Sequence, residues 1–155
     1  MPLLNYTTTV VASRTIGQVQ ALLVEAGARS IQTDYDPVGR ATGIAFMVET
    51  MHGPRGFVLP VNAHRVEAVL KKEKVQARYS TPEHAERVAW RIVKDWLEAQ
   101  LAIIHTEMVT LDQVMLPYMK GGDGRTVYEL YVNQQLALPA GSYNDEDVAE
   151  AEIIE

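Results

Sequence analysis

The feature that most constrains the fold is a long helix predicted for residues 82–106, because it is apolar on more than one side. Ser80-Thr81-Pro82-Glu83 marks its start, since it offers a Ser/Thr cap, a proline in the first turn and a glutamate three residues after Ser80. One broad side is apolar, and the apolar surface continues to a second side that holds Trp90, Leu97, Leu101 and Ile104. Such a helix needs cover over most of its circumference.

Two sources of cover for the second side are open. The C-terminal stretch from Leu111 to Leu138 is rich in Leu, Val, Met and Tyr and can fold back over it. Alternatively, a second subunit or another protein covers it, and the chain is then a homo-oligomer or binds a partner protein. The predicted interface residues would then be Trp90, Leu97, Leu101 and Ile104.

The rest of the chain alternates between strand and helix patterns. Strands are predicted at residues 6–11, 29–35, 41–50 and 57–61. Besides the long helix, helices are predicted from a Ser13 cap to Gly27, from an Asn62 cap to about Lys74, and at Thr126 to Leu136. The order β-α-β-β-β-α-α indicates an α+β fold. We expect a mixed or antiparallel four-stranded sheet with helices packed on one face.

Length and composition favour one folded domain. Of the 155 residues, 47% are apolar, which is enough for a core, and we expect a domain at 1–139 and a flexible acidic tail at 140–155. The absence of cysteine excludes a disulfide framework, a thiolate metal site and a cysteine nucleophile. Neither a secretory signal pattern nor an apolar run of membrane-spanning length is present, so a cytoplasmic location without a membrane partner is expected.

The net charge of −6 comes from the C-terminus alone. Residues 144–155 contain six acids and no base, which leaves 14 acids against 14 bases elsewhere. Residues 40–78 are locally basic, and two rings lie within or beside them. Because positive charge follows a phosphate backbone and rings stack bases, this composition is typical of single-stranded nucleic-acid binding. The candidate contacts are Arg40, Arg55, Phe57, Arg65, Lys71, Lys72, Lys74, Arg78 and Tyr79.

The long helix adds Arg87, Arg91 and Lys94 on one face, where they could form a phosphate-contacting stripe. The alternative is that each of these cations pairs with a carboxylate four residues away, as on many solvated helices. An alternative also exists for residues 40–78, where Phe57 suits a core and lysines at a helix end interact with the helix dipole.

No catalytic motif is present. The four histidines lack metal-ligand spacing, no serine lies in a nucleophile elbow, and the glycines at 121–124 lack the Gly-Lys-Ser/Thr ending of a phosphate loop. We therefore expect a non-enzymatic protein with no cofactor and no metal site. An enzyme with a dispersed site is the least supported alternative.

Two resemblances bear on function. Tyr6-Thr7-Thr8, Ala12-Ser13, Ala26-Gly27-Ala28, Phe57-Val58-Leu59-Pro60 and the stretch from Val88 to Trp96 look similar to small hypothetical proteins of phages and prophages. This resemblance spans the chain to about Tyr118. It implies a phage setting, with the cytoplasm of a bacterial host as the location, and no particular activity. The tail, with Asp145-Glu146-Asp147 and then Ile153-Ile154-Glu155, resembles the acidic ends of several single-stranded-DNA-binding proteins, although it ends in Glu.

Together these patterns support two hypotheses. The first is a phage-type accessory protein that binds nucleic acid, chiefly single-stranded DNA, through the sheet and the basic region, with a tail that modulates binding or recruits partners. The second is a protein-interaction module, such as a regulator, an inhibitor of a host machine or a subunit of a larger assembly.

Overall fold

Three antiparallel strands form one sheet in the computed structural model, which describes residues 1–133 of the chain. The strands are β1 (Ala28–Tyr35), β2 (Ala41–Thr50) and β3 (Gly53–Pro60), with β2 in the centre. The five helices of this part of the chain are α1 (Ala12–Glu25), α2 (Ala63–Lys72), α3 (Pro82–His105), α4 (Leu111–Met115) and α5 (Val127–Val132). The chain is therefore α+β, as predicted.

The two faces of the sheet differ because side chains alternate along a strand. On β2, Ile44, Phe46 and Val48 are buried, whereas Met47 and Glu49 between and beyond them are exposed. The register places Phe57 of β3 opposite Phe46, and their rings stack with centroids 5.3 Å apart. The apolar side chains of this inner face thus form one side of the core.

Helices α1 and α3 pack against this inner face of the sheet and complete the core. Helix α1 contributes Ile16, Val19 and Leu23 to the main cluster of buried residues, and α3 contributes Ala89, Trp90 and Leu97. Trp90 is fully buried, and its indole Nε1 donates to the carbonyl oxygen of Ala41 at 3.4 Å. Helix α2 packs on α3 in a second cluster, which is built from Leu70, Ala85 and Val88 with Leu3, Tyr6 and Val75 beside them.

The predicted strand at residues 6–11 is wrong, and within residues 1–133 the sheet has three strands rather than four. Asn5 has a φ of 64°, and the amide of Tyr6 donates to Leu3, which folds the segment into turns. The Thr- and Val-rich composition favours a strand, but Tyr6 instead packs on the α2–α3 cluster. An isolated antiparallel bridge between Phe57 and Met119 adds to the β3 edge.

The predicted Ser13 cap of α1 and the predicted capping box of α3 are wrong, whereas the predicted Ser/Thr cap and first-turn proline of α3 are confirmed at Thr81 and Pro82. Helix α1 begins after Val11, and no side chain caps it, so Ser13 lies inside the helix. At α3 the cap is Thr81, whose hydroxyl accepts from the amide of His84 at 3.2 Å. Ser80 donates instead to the carbonyl of Ala77, so Ser80 and Glu83 form no capping box.

Strand β3 begins at Gly53, four residues before the predicted start at Phe57, and the other boundaries agree more closely with the sequence pattern. Asn62 caps α2 by accepting from the amide of Arg65, and α3 ends at His105, one residue before the predicted end. The last predicted helix begins at Thr126, which caps α5 in a capping box with Glu129. The end of that prediction at Leu136 and the acidic tail at 140–155 lie outside the described residues. No helix of residues 1–133 is both long and apolar enough to cross a bilayer.

Replacement of glycine by alanine is expected to have opposite effects on stability at two positions, one within α1 and one just after it. Gly27 has a φ of 100°, whereas Gly17 is helical and has open space where a Cβ would project. Gly27→Ala is expected to lower the free energy of unfolding by about 1–2 kcal/mol, because the left-handed region strains an L side chain. Gly17→Ala is expected to raise it by about 0.5–1 kcal/mol, because alanine favours the helix. Urea unfolding measures both, and equal effects would contradict this account.

Candidate nucleic-acid interface

A groove of about 480 Å³ lies between the N-terminal segment and the end of α2. Two tyrosines, Tyr6 and Tyr79, form part of its wall, and Lys74 lines it beside them. The full lining is Met1, Pro2, Tyr6, Glu73, Lys74, Val75, Gln76 and Tyr79. The groove therefore combines residues from two segments that are far apart in the sequence.

The end of α2 creates one side of this groove. Lys74 has a φ of 54°, and the amide of Val75 donates back to Leu70, so the chain turns sharply after the helix. A 3-10 turn at Ala77–Tyr79 then leads into α3. Lys71 and Lys72 lie in the last turn of α2, where cations interact favourably with the helix dipole.

The N-terminal segment forms the other side and is held by three hydrogen bonds. The backbone amide of Leu3 donates to the carboxylate of Glu73 at 3.1 Å, and the side-chain amide of Asn5 donates to Asp95 at 2.7 Å. The ring of the buried His84 contacts the carbonyl oxygen of Tyr6 through Nε2 at 2.5 Å, with that nitrogen as donor. These bonds fix Tyr6 against α3.

The aromatic rings at the groove contact one another in defined orientations. Tyr6 and Tyr79 meet edge to face with centroids 5.7 Å apart, and Tyr79 lies 5.2 Å from the ring of His84. The guanidinium of Arg78 lies 4.6 Å from the centroid of the Tyr79 ring, within cation–π range. Arg78 thus places a cation against the ring of Tyr79 beside the groove.

Two exposed cations lie at the groove: Lys74 lines it, and Arg78 contacts the ring of Tyr79 in its wall. Lys72, Lys74 and Arg78 are exposed, and in the described part of the chain no carboxylate is in ion-pair contact with them. Lys71 is different, because it pairs with Glu67 at 2.9 Å and holds the pKa of that carboxyl below its usual value. Glu73 lines the groove, but its carboxylate accepts the amide of Leu3.

The remaining basic candidates from residues 40–78 lie elsewhere. Arg40 lines a smaller cleft of about 240 Å³ together with Asp36, His64 and Glu67. Arg65 is exposed in the first turn of α2. Arg55 is at the opposite end of the sheet, because it pairs with Val48, whereas Arg40 precedes Ala41 at the start of β2. The length of β2 from Ala41 to Val48 separates the two positions by roughly 23 Å.

Phe57 is not part of any interface in this structure. Its side chain is fully buried and stacks on Phe46 in the core, so it is not accessible to a nucleobase. The sequence predicts binding through the sheet as well as the basic region, and the outer face of the sheet carries the exposed carboxylates Asp34 and Glu49. Of the basic candidates, Lys74 and Arg78 lie at the groove beside α2, whereas Arg55 lies on β3.

Two of the three candidate cations of α3, Arg91 and Lys94, contact polar or acidic side chains within the domain. Lys94 forms ion pairs with Glu98 and, at 3.7 Å, with Asp95. Arg91 does not pair with Asp95 as the helical spacing suggested, but donates to Gln18 of α1 at 2.6 Å. Arg87 is half-buried. This stripe joins α1 to α3 and is separate from the groove.

The predicted interface residues divide into two groups. Trp90 and Leu97 are fully buried in the main core, so the sheet, α1 and α4 supply the cover that their apolar surface needs. Residues 111–119 supply part of this cover, since Met115 is buried in the cluster and Tyr118 meets Trp96 edge to face. Leu101 and Ile104 are half-buried and line an apolar crevice at the far end of α3.

Tyr6 is the groove residue that sequence reasoning missed. Its neighbours suggested a strand, and no local signal indicates that it contacts Tyr79, which lies far along the chain. The glycine-rich turn at 121–124 offers no comparable site, because Asp123 pairs with Arg125, which lowers the pKa of the aspartate. Within residues 1–133, no three His, Asp or Glu side chains are grouped as a metal site would require.

Comparison with known proteins adds nothing to this geometry: no family model, no curated protein and no solved structure matches the chain.

Proposed function

We propose that this protein binds single-stranded nucleic acid at the groove between Tyr6 and Tyr79, as a non-enzymatic accessory protein of phage type. The observation that carries the proposal is a groove with two tyrosines in its wall, where exposed Lys74 is part of the lining and exposed Arg78 lies against the ring of Tyr79. Charge and rings at one place are what a flexible phosphate backbone with free bases requires.

The cations would act on the backbone. The lysines at the end of α2 project from a helix terminus and the turn after it, so they reach successive phosphates without rearrangement of the core. Phosphate binding of this type is independent of sequence, and it weakens with added salt because the release of counterions from the strand then gains less free energy. Binding that is general in sequence and strongly salt-dependent is therefore the expected behaviour.

The rings would act on the bases. The guanidinium of Arg78 lies against the ring of Tyr79, and the edge-to-face arrangement leaves the ring of Tyr6 at an angle to that of Tyr79. Guanidinium and aromatic planes both stack on unpaired bases, which a duplex keeps inside its own stack. This geometry favours single strands over duplexes.

Two substitutions at the groove test the phosphate-binding role of the cations. Lys74→Ala combined with Arg78→Ala is expected to weaken binding to a labelled oligothymidylate of about 20 nucleotides by roughly tenfold at about 50 mM salt. The slope of log affinity against log salt is expected to become shallower by about 0.7 for each phosphate that is no longer neutralised. Fluorescence anisotropy measures both quantities.

The matched control is Arg14→Ala combined with Arg29→Ala, which removes the same charge from two exposed arginines on α1 and β1. If both double variants weaken binding equally, the effect is one of net charge and the groove is not the site. If the unaltered protein does not bind at low salt, the proposal is overturned.

A tyrosine substitution tests the stacking of bases. Tyr6→Leu retains an apolar side chain toward the α2–α3 cluster but removes the ring. It is expected to cost about 1–3 kcal/mol of binding free energy, the usual value for one stacked base. Tyr35→Leu is the control, because Tyr35 is exposed on β1 away from the groove. Circular dichroism of both variants checks that the fold is retained, and equal affinities would rule out stacking on Tyr6.

The acidic C-terminus has a modulating role in this proposal. Its six acids would compete with phosphates for the groove cations, or recruit partners by charge. Asp145→Asn, Glu146→Gln and Asp147→Asn together are expected to raise affinity at low salt, and the increase should shrink as salt screens the competition. Asp34→Asn, Glu49→Gln and Glu107→Gln, an equal charge change in the folded part, is the control. No difference between the two triple variants would remove the competing role.

A further inference from the structure

A second surface lies at the other end of α3 and is chemically unlike the groove. It is a crevice of about 570 Å³ between the end of α1, the last two turns of α3 and the start of α4. Its lining is Leu22, Glu25, Ala26, Glu98, Leu101, Ala102, Ile104, His105 and Leu111. The length of α3 between Glu98 and His84, which contacts Tyr79, separates the two surfaces by about 21 Å.

The crevice exists because α1 is shorter than α3. The bond between Arg91 and Gln18 sets the register of the two helices, and the shared position of Leu22 and Leu101 at the crevice shows that they run in the same direction. Beyond that bond, α1 ends at Glu25 whereas α3 continues to His105. Helix α3 therefore extends about 10 Å past the end of α1, without a neighbour from α1 on that side.

The lining is apolar with an acidic rim. Leu22, Leu101 and Leu111 are half-buried and pack on the main core from the crevice side. Two carboxylates, Glu25 and Glu98, lie at the crevice, and no lysine or arginine occurs among the described residues that line it. Lys94 pairs with Glu98 from outside this lining. The surface thus offers apolar walls beside the exposed carboxylate of Glu25, whereas the charge of Glu98 is balanced by Lys94.

We propose that this crevice binds an amphipathic helix of a partner protein, with leucine-type anchors on one face and lysines or arginines beside them. Anchors spaced three or four residues apart would enter between α1 and α3, as in helix-in-groove recognition. The flanking cations would lie next to Glu25 and Glu98. This inference is independent of nucleic-acid binding at the groove.

Charge complementarity favours this occupant over two others. The chain's own terminus at 144–155 has six acids and no base, so the carboxylate of Glu25 would repel it. A second copy in a two-fold dimer would place the same acidic rim against itself, because both subunits use the same patch in such an interface. A basic partner helix meets neither obstacle.

The test uses a defined probe, a fluorescein-labelled peptide of about 14 residues, made of leucine and lysine at helical spacing. A leucine–glutamate peptide of the same pattern is its counterpart. Fluorescence anisotropy with the full chain at about 150 mM salt measures affinity, where long-range attraction between exposed charges is largely screened. The lysine peptide is expected to bind at least about tenfold more tightly than the glutamate peptide.

Two tryptophan variants separate the crevice from general attraction to an acidic protein. Ala102→Trp fills the crevice and is expected to weaken binding of the lysine peptide by about tenfold or more. Ala99→Trp places the same side chain at an exposed position of α3 outside the crevice, and its affinity should stay within about twofold. Glu25→Gln should weaken binding, whereas Glu49→Gln on the sheet should not.

A second measurement does not depend on the variants folding. Titration of the unaltered protein with the lysine peptide should shift the methyl resonances of Leu22, Leu101, Ile104 and Leu111, and leave those of Val58 unchanged. Equally weakened binding in both tryptophan variants, equal binding of the two peptides, or shifts outside the crevice would overturn the proposal. Light scattering that shows a dimer made monomeric by Ala102→Trp would overturn it too, since the occupant would then be a second copy.

Discussion

The burial of Trp90 between α3 and the sheet is the interaction on which the rest of the structure depends. The indole is fully buried, and its one polar atom donates to the carbonyl of Ala41, so the largest side chain of the core has no unmet hydrogen bond. Fully burying a ring of this size contributes several kcal/mol, whereas exposed ion pairs on the same helix contribute a fraction of that. Trp90 therefore fixes both the distance of α3 from β2 and the rotation of α3 about its own axis.

With α3 fixed in this way, both candidate surfaces follow from what lies beside it. Near its start, His84 holds the carbonyl of Tyr6, and Tyr79 packs between the two rings. Near its end, the helix extends past α1 and leaves the crevice that Leu101 and Ala102 line. One rigid helix thus separates a basic groove with two tyrosines from an acidic crevice with apolar walls, and ligands at the two sites need not compete.

The charged residues show how far a sequence pattern can be taken. The excess of bases in residues 40–78 is real, but the fold divides it: Lys74 and Arg78 lie at the groove, while Arg40 and Arg55 lie at opposite ends of the sheet. On α3, Lys94 and Glu98 pair as their spacing indicates, because residues four positions apart lie on the same face of one helix. Arg91 donates to Gln18 instead, and that bond depends on another helix.

The sequence by itself determined the α+β class, the places of three of the four predicted strands, the long helix and the stop at Gly27, because these depend on spacing, capping and φ preferences that act over a few residues. Only the tertiary structure decided that residues 6–11 form no strand, that Phe57 is core and that Tyr6 meets Tyr79. The physical reason is the same each time. Burial and ring packing between distant segments outweigh local propensities of less than about 1 kcal/mol per residue.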